Sequence, residues 1–475
     1  MIPLTLAEVA RLAGGEVHDG PDDLVVSGAA FLDSRRPEPA GLFVAFAGEH
    51  ADGHDFAHSA VEGGAAAVLG TRPTGVPTIV APDAQAALQQ LARAVLHRLR
   101  QEGTGPVVLA LTGSQGKTST KDLLARVLAD HGPTVATHES FNNELGLPLT
   151  VLRATPQTRF LVLEMGARGL GHLRDLCRVA RPDISLVLNV GKAHLGEFGS
   201  RENIALAKGE LVEALPDEGT AVLNLDDPLV AAMASRTHAR VLGFGRAEPA
   251  EVRYDDVTVD DLGRPRFVLR HGHETETLAL RLLGRHQAVN AAAATAASIA
   301  AGLPLSAIAT SLRAVTALSP MRMQLHERAD GLVVVNDAYN ANPDSMQAAL
   351  ETLAGMGRRS GRHTLAVLGE MRELGADSAA EHLEVGRLAR RLGIDTLVTV
   401  GEEARALADG FREEPADTPG EARSVETVAE AVQWLRQNVS GSDLVLVKAS
   451  RGARLERVAD GLLDDTHEDE READT

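Results

Sequence analysis

The ten residues LTGSQGKTST, Leu111 to Thr120, follow the apolar run VVLA and precede KDLLARVLADHG, whose apolar residues recur at helical spacing. A buried strand that turns into a helix through two glycines, a lysine and two threonines has few uses. Backbone N–H groups at the helix start and a lysine ammonium together offset the charge of a phosphate. The common phosphate loop reads GxxxxGK[ST], whereas here Gly113 stands three positions before Gly116, giving the shorter TGxxGKT form. Thr118 carries the hydroxyl that usually ligates Mg²⁺, and Lys117 the charge that bridges terminal phosphates. Gly113, Ser114, Gln115, Gly116, Lys117, Thr118 and Ser119 are the expected nucleotide contacts.

After this loop LVLEMG, GHLRDLCRVA, ISLVLNV, ENIALAKGELVEAL and TAVLNLD read alternately as strand and helix. That alternation predicts a parallel sheet covered by helices, with ligands at the carboxyl ends of its strands. VRYDDVTVDDLGRPRFVLRHGHETETLALRL has period-two character and is expected to pair as antiparallel strands before a long alanine-rich helix. The polar QEGTGP closes an earlier unit, which carries LAEVARLAGG as an amphipathic helix and DLVVSGAAF and GLFVAFAG as strand-like runs. Near Leu318 another unit begins, with the strand-like runs GLVVVNDAYN, HTLAVLGEM, IDTLVTVG and DLVLVKASR. The expected fold class is therefore α/β in three domains: a small α/β unit over 1–105, a central phosphate-loop domain with mostly parallel sheet over 106–317, and a Rossmann-like domain over 318–462. An acidic, disordered tail is expected over 463–475.

A net charge of −19 leaves no basic field for a nucleic-acid backbone, and 13 aromatic residues in 475 are too few for a base-stacking platform. The single cysteine, Cys177, excludes an internal disulfide. With no signal-peptide pattern and no long apolar segment, the cytoplasm is the default compartment. NAAAATAASIAAG is too short and too weakly apolar to span a bilayer. A monomer without nucleic-acid or membrane partners is the expectation.

Of 47 basic residues only five are lysine: Lys117, Lys121, Lys192, Lys208 and Lys448. Arginine supplies the generic positive charge, so a surviving lysine points to a compact amine that can lose its proton. Lys121 and Lys192 are open to being chance survivors. Lys208 fits a solvated helix face, or an amine that reacts with CO₂; carboxylation turns a cation into an anion able to bind Mg²⁺, which arginine cannot do. Glu164, after the strand of LVLEMG, could complete a magnesium shell or could cap or pair. His194, in NVGKAHLGEFGS, lies in a glycine-rich loop past a strand end, where sites sit, although a lone histidine is also commonly structural.

Taken with the last third of the chain, these segments resemble the Mur ligase family, ATP-dependent amide-forming enzymes of peptidoglycan precursor synthesis, over nearly the whole length. The resemblance implies Lys117, His194, Lys208 and Arg322 as catalytic, two Mg²⁺ ions held by Thr118, Glu164, His194 and an N6-carboxylated Lys208, and ATP as the nucleotide. GRHQAVNAAAA resembles the family's nucleotide-binding asparagine motif, placing Asn290 near adenine or ribose. MRM and NDAYNANPDS imply that Arg322 and Asp337 hold the terminal phosphate and ribose. NDAYNANPDSM and FNNELGLPLT resemble the D-alanyl-D-alanine-adding members, and the DNPR-type motif of the diaminopimelate- or lysine-adding members is absent. UDP-N-acetylmuramoyl-tripeptide and D-alanyl-D-alanine are the implied substrates, with Ser34 and Arg35 on the UDP-sugar and Asn142, Asn143, Asn340, Asn342, Lys448, Ser450 and Arg451 as further contacts. Met321 and Ala449 stand where glycine is common in the family. A folylpolyglutamate synthetase shares a similar ATP core but would not explain NDAYNANPDS, and a nucleotide-driven switch or motor would hydrolyse ATP without a peptide substrate.

Overall fold

Thr5 starts the first helix, Leu6–Ala13, through a reciprocal cap: its hydroxyl accepts from Glu8 N at 3.2 Å and the Glu8 carboxylate accepts from Thr5 N at 3.0 Å. Gly14 ends that helix at φ +70°, a left-handed position that suits glycine. The computed structural model describes residues 1–48, 51–103, 105–138, 141–191, 198–416 and 419–464.

The helix covers a sheet whose strands lie in the order Glu16–His18, Thr78–Val80, Ala67–Gly70, Leu42–Val44 and Ala30–Phe31, parallel except at the first pair. The run DLVVSGAAF is not one strand. It divides into Val25–Val26, paired with Leu4–Thr5, and Ala30–Phe31, because the chain at Gly28 presses against Pro39 O, where a β-carbon would stand at 2.1 Å. The long helix Ala84–Gln101, capped by Asp83, buries Leu88, Leu91, Val95 and Leu99. Those side chains join one continuous core with Leu161, Leu163, Leu173 and Leu176 of the next unit, so the first domain is seated on one face of the central sheet.

That central sheet has nine strands in the order Glu274–Ala279, Pro265–His271, Val252–Val259, Arg240–Gly245, Thr220–Asn224, Ile184–Val187, Val107–Thr112, Phe160–Glu164 and Thr134–Ala136. It is parallel up to Val252–Val259; the last two strands return antiparallel, as their period-two pattern requires. Val107–Thr112 lies between Phe160–Glu164 and Ile184–Val187, so its carboxyl end opens at a crevice where the strand order reverses. The helix Gln287–Ala300 is buried along most of its length because alanine lets it approach both the sheet and the helix Lys117–Ala129. Among the described residues no helix is long and apolar enough to cross a membrane.

The last unit is a doubly wound sheet ordered Gln324–Glu327, Val333–Asn336, Leu444–Lys448, Thr364–Leu368, Thr396–Val400 and Glu421–Val425. Four of these match the apolar runs. The two additional strands are edges of polar composition, QLHE and EARSV, whose exposed side gives them no hydrophobic run to read. Separate apolar clusters fill the two faces of this sheet.

Candidate active site

The loop after Val107–Thr112 is held by Asn189, at the end of the neighbouring strand region. Its Oδ1 accepts from Ser114 N at 2.9 Å and Gln115 N at 3.0 Å, and its Nδ2 donates to Gln115 O at 3.2 Å. Gly116 then takes φ +79°, and a β-carbon there would stand 2.7 Å from Asn290 Oδ1, so both backbone and space require glycine. The helix Lys117–Ala129 begins at once, with no side-chain cap. Its first-turn N–H groups are therefore presented to the crevice as an anion site.

Thr118 Oγ1 donates to Glu164 Oε2 at 2.8 Å, and Asn142 Nδ2 donates to Glu164 Oε1 at 2.8 Å, tying three of the expected residues into one buried cluster. Lys117 Nζ donates to Gly113 O at 2.8 Å. Burial lowers the Lys117 pKa, with Arg322 acting in the same direction and Glu164 and Glu373 opposing it. Lys208, on the helix Arg201–Glu213, is 4% exposed, and its pKa is pushed well below the ordinary lysine value by burial and then by the Lys117 charge. It makes no hydrogen bond or ion pair with any described residue. Gly209 and Glu210 fix this stretch of helix. Arg236 lies against Gly209 and donates to Ala205 O at 3.1 Å and Leu206 O at 2.9 Å, while Glu210 accepts from Gly171 N at 2.6 Å and Arg174 N at 3.1 Å.

The opposite wall comes from the C-terminal sheet. Asp337 Oδ2 accepts from Lys448 Nζ at 2.6 Å, and its Oδ1 from Met323 N at 3.0 Å. Lys448 also donates to Asn340 O at 2.9 Å, and Asn342 caps the helix Pro343–Ser360. The Arg322 guanidinium stacks on the Tyr339 ring at 4.3 Å. The methionine where the family favours glycine, Met321, has φ +57°, so it occupies the left-handed conformation that glycine would fill without strain. Ala449 has no such backbone; its methyl packs against Gly369, where a β-carbon would stand at 2.8 Å.

These walls enclose a cavity of about 710 Å³. Ser114, Gln115, Gly116, Lys117, Thr118, Ser119, Asn142, Asn143, Glu164, Lys208, Asn290, Arg322, Asp337, Asn340, Asn342 and Lys448 all line it. Leu32 brings the first domain to its rim. Gly113 lies beneath the loop. Ser34 and Arg35 stand outside the cavity, with Arg35 forked onto Asp33 at 2.8 and 2.9 Å. Ser450 is buried behind the wall, accepting from Arg372 N at 3.0 Å, and Arg451 pairs with Glu456 at 2.6 Å. His194 lies outside the described residues, as does Lys192. Lys121 is buried in a pair with Asp122 at 2.5 Å, whose other oxygen accepts from Ser319 N at 2.8 Å, so it braces the junction with the last domain. Cys177 is buried, its thiol pushed up to about 12 by desolvation and by Glu210.

Asn189, His286 and Tyr339 lie inside the segments ISLVLNV, GRHQAVNAAAA and NDAYNANPDS without having been singled out there, and Glu373 lies just past HTLAVLGEM. Asn189 and Glu373 follow strands at their carboxyl ends, a position that alone marks them for attention. The set fits a nucleotide polyphosphate. The half-buried Lys117, the buried Lys208 and Arg322 face Glu164 and Glu373 beside an uncapped helix start, and added negative charge would relieve the depression of both lysine pKa values. The paired oxygens of Thr118 and Glu164 suit one Mg²⁺. Among the described residues no group of three His, Cys, Asp or Glu could hold a metal ion by itself.

Three family descriptions match the chain: "Mur ligase family, catalytic domain" over 31–101, "Mur ligase middle domain" over 111–298 and "Mur ligase, glutamate ligase domain" over 321–451. The UDP-N-acetylmuramoyl-tripeptide–D-alanyl-D-alanine ligase of Mycobacterium tuberculosis is 46% identical, with 98% of this chain and 99% of that protein covered. A crystal structure of MurF from Acinetobacter baumannii superimposes with a TM-score of 0.84 at 29% identity, covering 97% of this chain and 99% of that one. The MurF ligase of Thermotoga maritima in complex with ADP gives a TM-score of 0.77 at 29% identity, covering 91% and 96%.

Proposed function

The chain belongs to the Mur ligase family, and we propose that it joins D-alanyl-D-alanine to UDP-N-acetylmuramoyl-tripeptide at the expense of ATP, a step of peptidoglycan precursor synthesis. The observation that carries this reading is a single cleft in which the phosphate loop and Lys208 face Arg322, Asp337 and Lys448 from another domain. A switch or motor would need the phosphate loop alone. The T. maritima relative in complex with ADP supports the loop as the nucleotide site.

The division of labour follows the three domains: 1–105 for the UDP-sugar, 106–317 for ATP and 318–462 for the incoming dipeptide. Ser34 and Arg35 would meet the UDP-sugar; Asn142, Asn143, Asn340 and Asn342, which line the cleft, would meet the peptide. The first-turn N–H groups of residues 117–119 and the Lys117 ammonium hold the phosphates, and Asn290 and Asp337 take the adenosine. Phosphoryl transfer to the tripeptide's terminal carboxylate gives an acyl phosphate, which the dipeptide amine attacks. Two anions must approach each other in the first step, and Lys117 and Arg322 stabilise the charge that accumulates there. Mg²⁺, held by Thr118 and Glu164 and, for a second ion, by His194 and carboxylated Lys208, would lower the same repulsion. Lys208 is suited to carboxylation because a neutral amine can attack CO₂, forming the N–C bond and releasing one proton. Closure of the cleft would exclude water that would hydrolyse the acyl phosphate.

The test is phosphate release by the purified protein with Mg-ATP, UDP-N-acetylmuramoyl-tripeptide and D-alanyl-D-alanine, each omitted in turn. Release that needs both substrates, with a product heavier by the dipeptide, is expected. Release from ATP alone, unchanged by either substrate, would contradict the ligase reading and favour the switch or motor.

A further inference from the structure

Along the second half of the helix Ala84–Gln101, the first and central domains leave a pocket of about 310 Å³ between them. None of its lining residues also lines the cleft. We infer that this pocket binds a phosphate monoester carrying a small aryl or alkyl group, an anion with an apolar body.

One wall is a stripe of that helix. Arg93, Ala94, His97 and Arg100 follow one another at intervals of one, three and three, which keeps them on one face. The other wall is the end of the helix His172–Ala180 and the residue that closes it, Arg181. Between the walls the lining is apolar: Leu96, Val179 and Ala180 are buried and Ala94 is half-buried. The two alanines stop at their β-carbons and leave the floor open. The volume is at the small end of the range for ligand pockets, enough for one ring or a short chain.

The charge around this floor has one sign, for no carboxylate lines the pocket. Arg100 is committed, donating to Asp183 Oδ2 at 2.8 Å and to Arg181 O at 3.0 Å. The carbonyl end of the helix His172–Ala180 is thereby covered by a cation, which offsets the negative pole that would repel an anion. The side chains of Arg93, His97 and Arg181 are exposed and make no hydrogen bond or ion pair with any described residue. Arg181 has φ +46°, at a cap position that glycine commonly fills, and a side chain in that conformation costs about 1–2 kcal/mol. In a chain of net charge −19, two guanidiniums therefore face each other across an apolar floor without an acid between them. Planar forks approaching from opposite walls match the several oxygens of a phosphate, and a dianion answers both charges.

The place is also mechanically connected. Asp183 Oδ2, which holds Arg100, accepts from Val108 N at 2.8 Å at the start of the strand that leads to the phosphate loop. On the same long helix Gln89 Nε2 donates to Glu144 O at 3.1 Å, in the loop that lines the cleft. An occupant of the pocket would bridge the two elements that seat the first domain on the central one.

The probe is 1-naphthyl phosphate, titrated by its fluorescence into the full chain with and without saturating Mg-ADP. Wild type should bind it with a Kd below about 1 mM, unchanged by ADP, and at least about tenfold more tightly than it binds 1-naphthol or inorganic phosphate. Arg93→Gln combined with Arg181→Asn, the latter chosen because asparagine tolerates the left-handed backbone, should weaken binding at least about tenfold. Ala94→Trp should fill the floor and abolish it. Both variants should keep wild-type affinity for ADP, which shows that they are folded. No binding by wild type, binding that ADP removes, equal affinity for 1-naphthol or for inorganic phosphate, or undiminished affinity in the charge variant would each overturn the assignment. The ligase reading is untouched by any of these results, since the pocket and the cleft have no residue in common.

Discussion

Two buried lysines face the same cleft from opposite walls, and the walls treat them differently. On the C-terminal side Lys448 gives its ammonium to Asp337 at 2.6 Å and to Asn340 O at 2.9 Å. On the central side Lys208 makes no hydrogen bond or ion pair with a described residue, and burial together with Lys117 drives its pKa well down. A buried charge with a partner holds structure in place; burial of an amine with no partner among the described residues favours its neutral form, the form that CO₂ modifies. In a chain that otherwise uses arginine, the proposed reaction asks for lysine at both positions, for opposite reasons.

The largest effect should come from Lys208. Lys208→Ala should lose at least about a thousandfold in steady-state phosphate release, with part of the rate restored by acetate or formate, which can occupy the vacated space as carboxylates. Wild-type rates in that variant would remove Lys208 from the reaction and with it the contrast between the two walls. Breaking the paired one should show in folding. Lys448→Met leaves the largely buried Asp337 without its lysine and should cost about 3 kcal/mol in urea unfolding, whereas the double variant with Asp337→Leu should recover much of that. A single variant within about 0.5 kcal/mol of wild type would mean the pair does not hold that wall.

The pH dependence of stability sharpens the same comparison. Because the folded-state pKa of Lys208 lies below its ordinary value of 10.5, the unfolded chain binds a proton that the folded chain does not, and stability rises with pH until that value is passed. Under CO₂-free buffer, Lys208→Met should therefore exceed wild type in unfolding free energy by more at pH 7 than at pH 9. A pH-independent difference would contradict the depressed pKa. The smallest effect concerns the loop that carries Arg322. Met321→Gly relieves a left-handed backbone worth about 1–2 kcal/mol but loosens the unfolded chain by about 0.5–1, so a gain below about 1 kcal/mol in thermal unfolding is expected, and a loss would show that the Met321 side chain outweighs the strain.

How much of this was legible in the residues depended on whether chemistry was written locally. The phosphate loop, Glu164 and Lys208 each sit in short stretches with a strand or helix pattern beside them, and they meet in one cleft as expected. The edge strands Gln324–Glu327 and Glu421–Val425 were not legible because exposure removes the apolar run that marks an interior strand. Asn189 was not legible because its role arises between segments far apart in the chain: it acts on Ser114 and Gln115. Met321 shows the reverse case. Its departure from glycine was visible in the sequence, and the backbone reveals the strain that departure entails.

The proposed reaction spends ATP on activating a carboxylate inside this cleft. It is tested most directly by UDP-N-acetylmuramoyl-tripeptide labelled with ¹⁸O in its terminal carboxylate, followed by mass analysis of the phosphate released during ligation. The account predicts one ¹⁸O atom carried into the phosphate, because the bond broken by the amine lies between the acyl carbon and that oxygen. Unlabelled phosphate accompanying full product formation would contradict it.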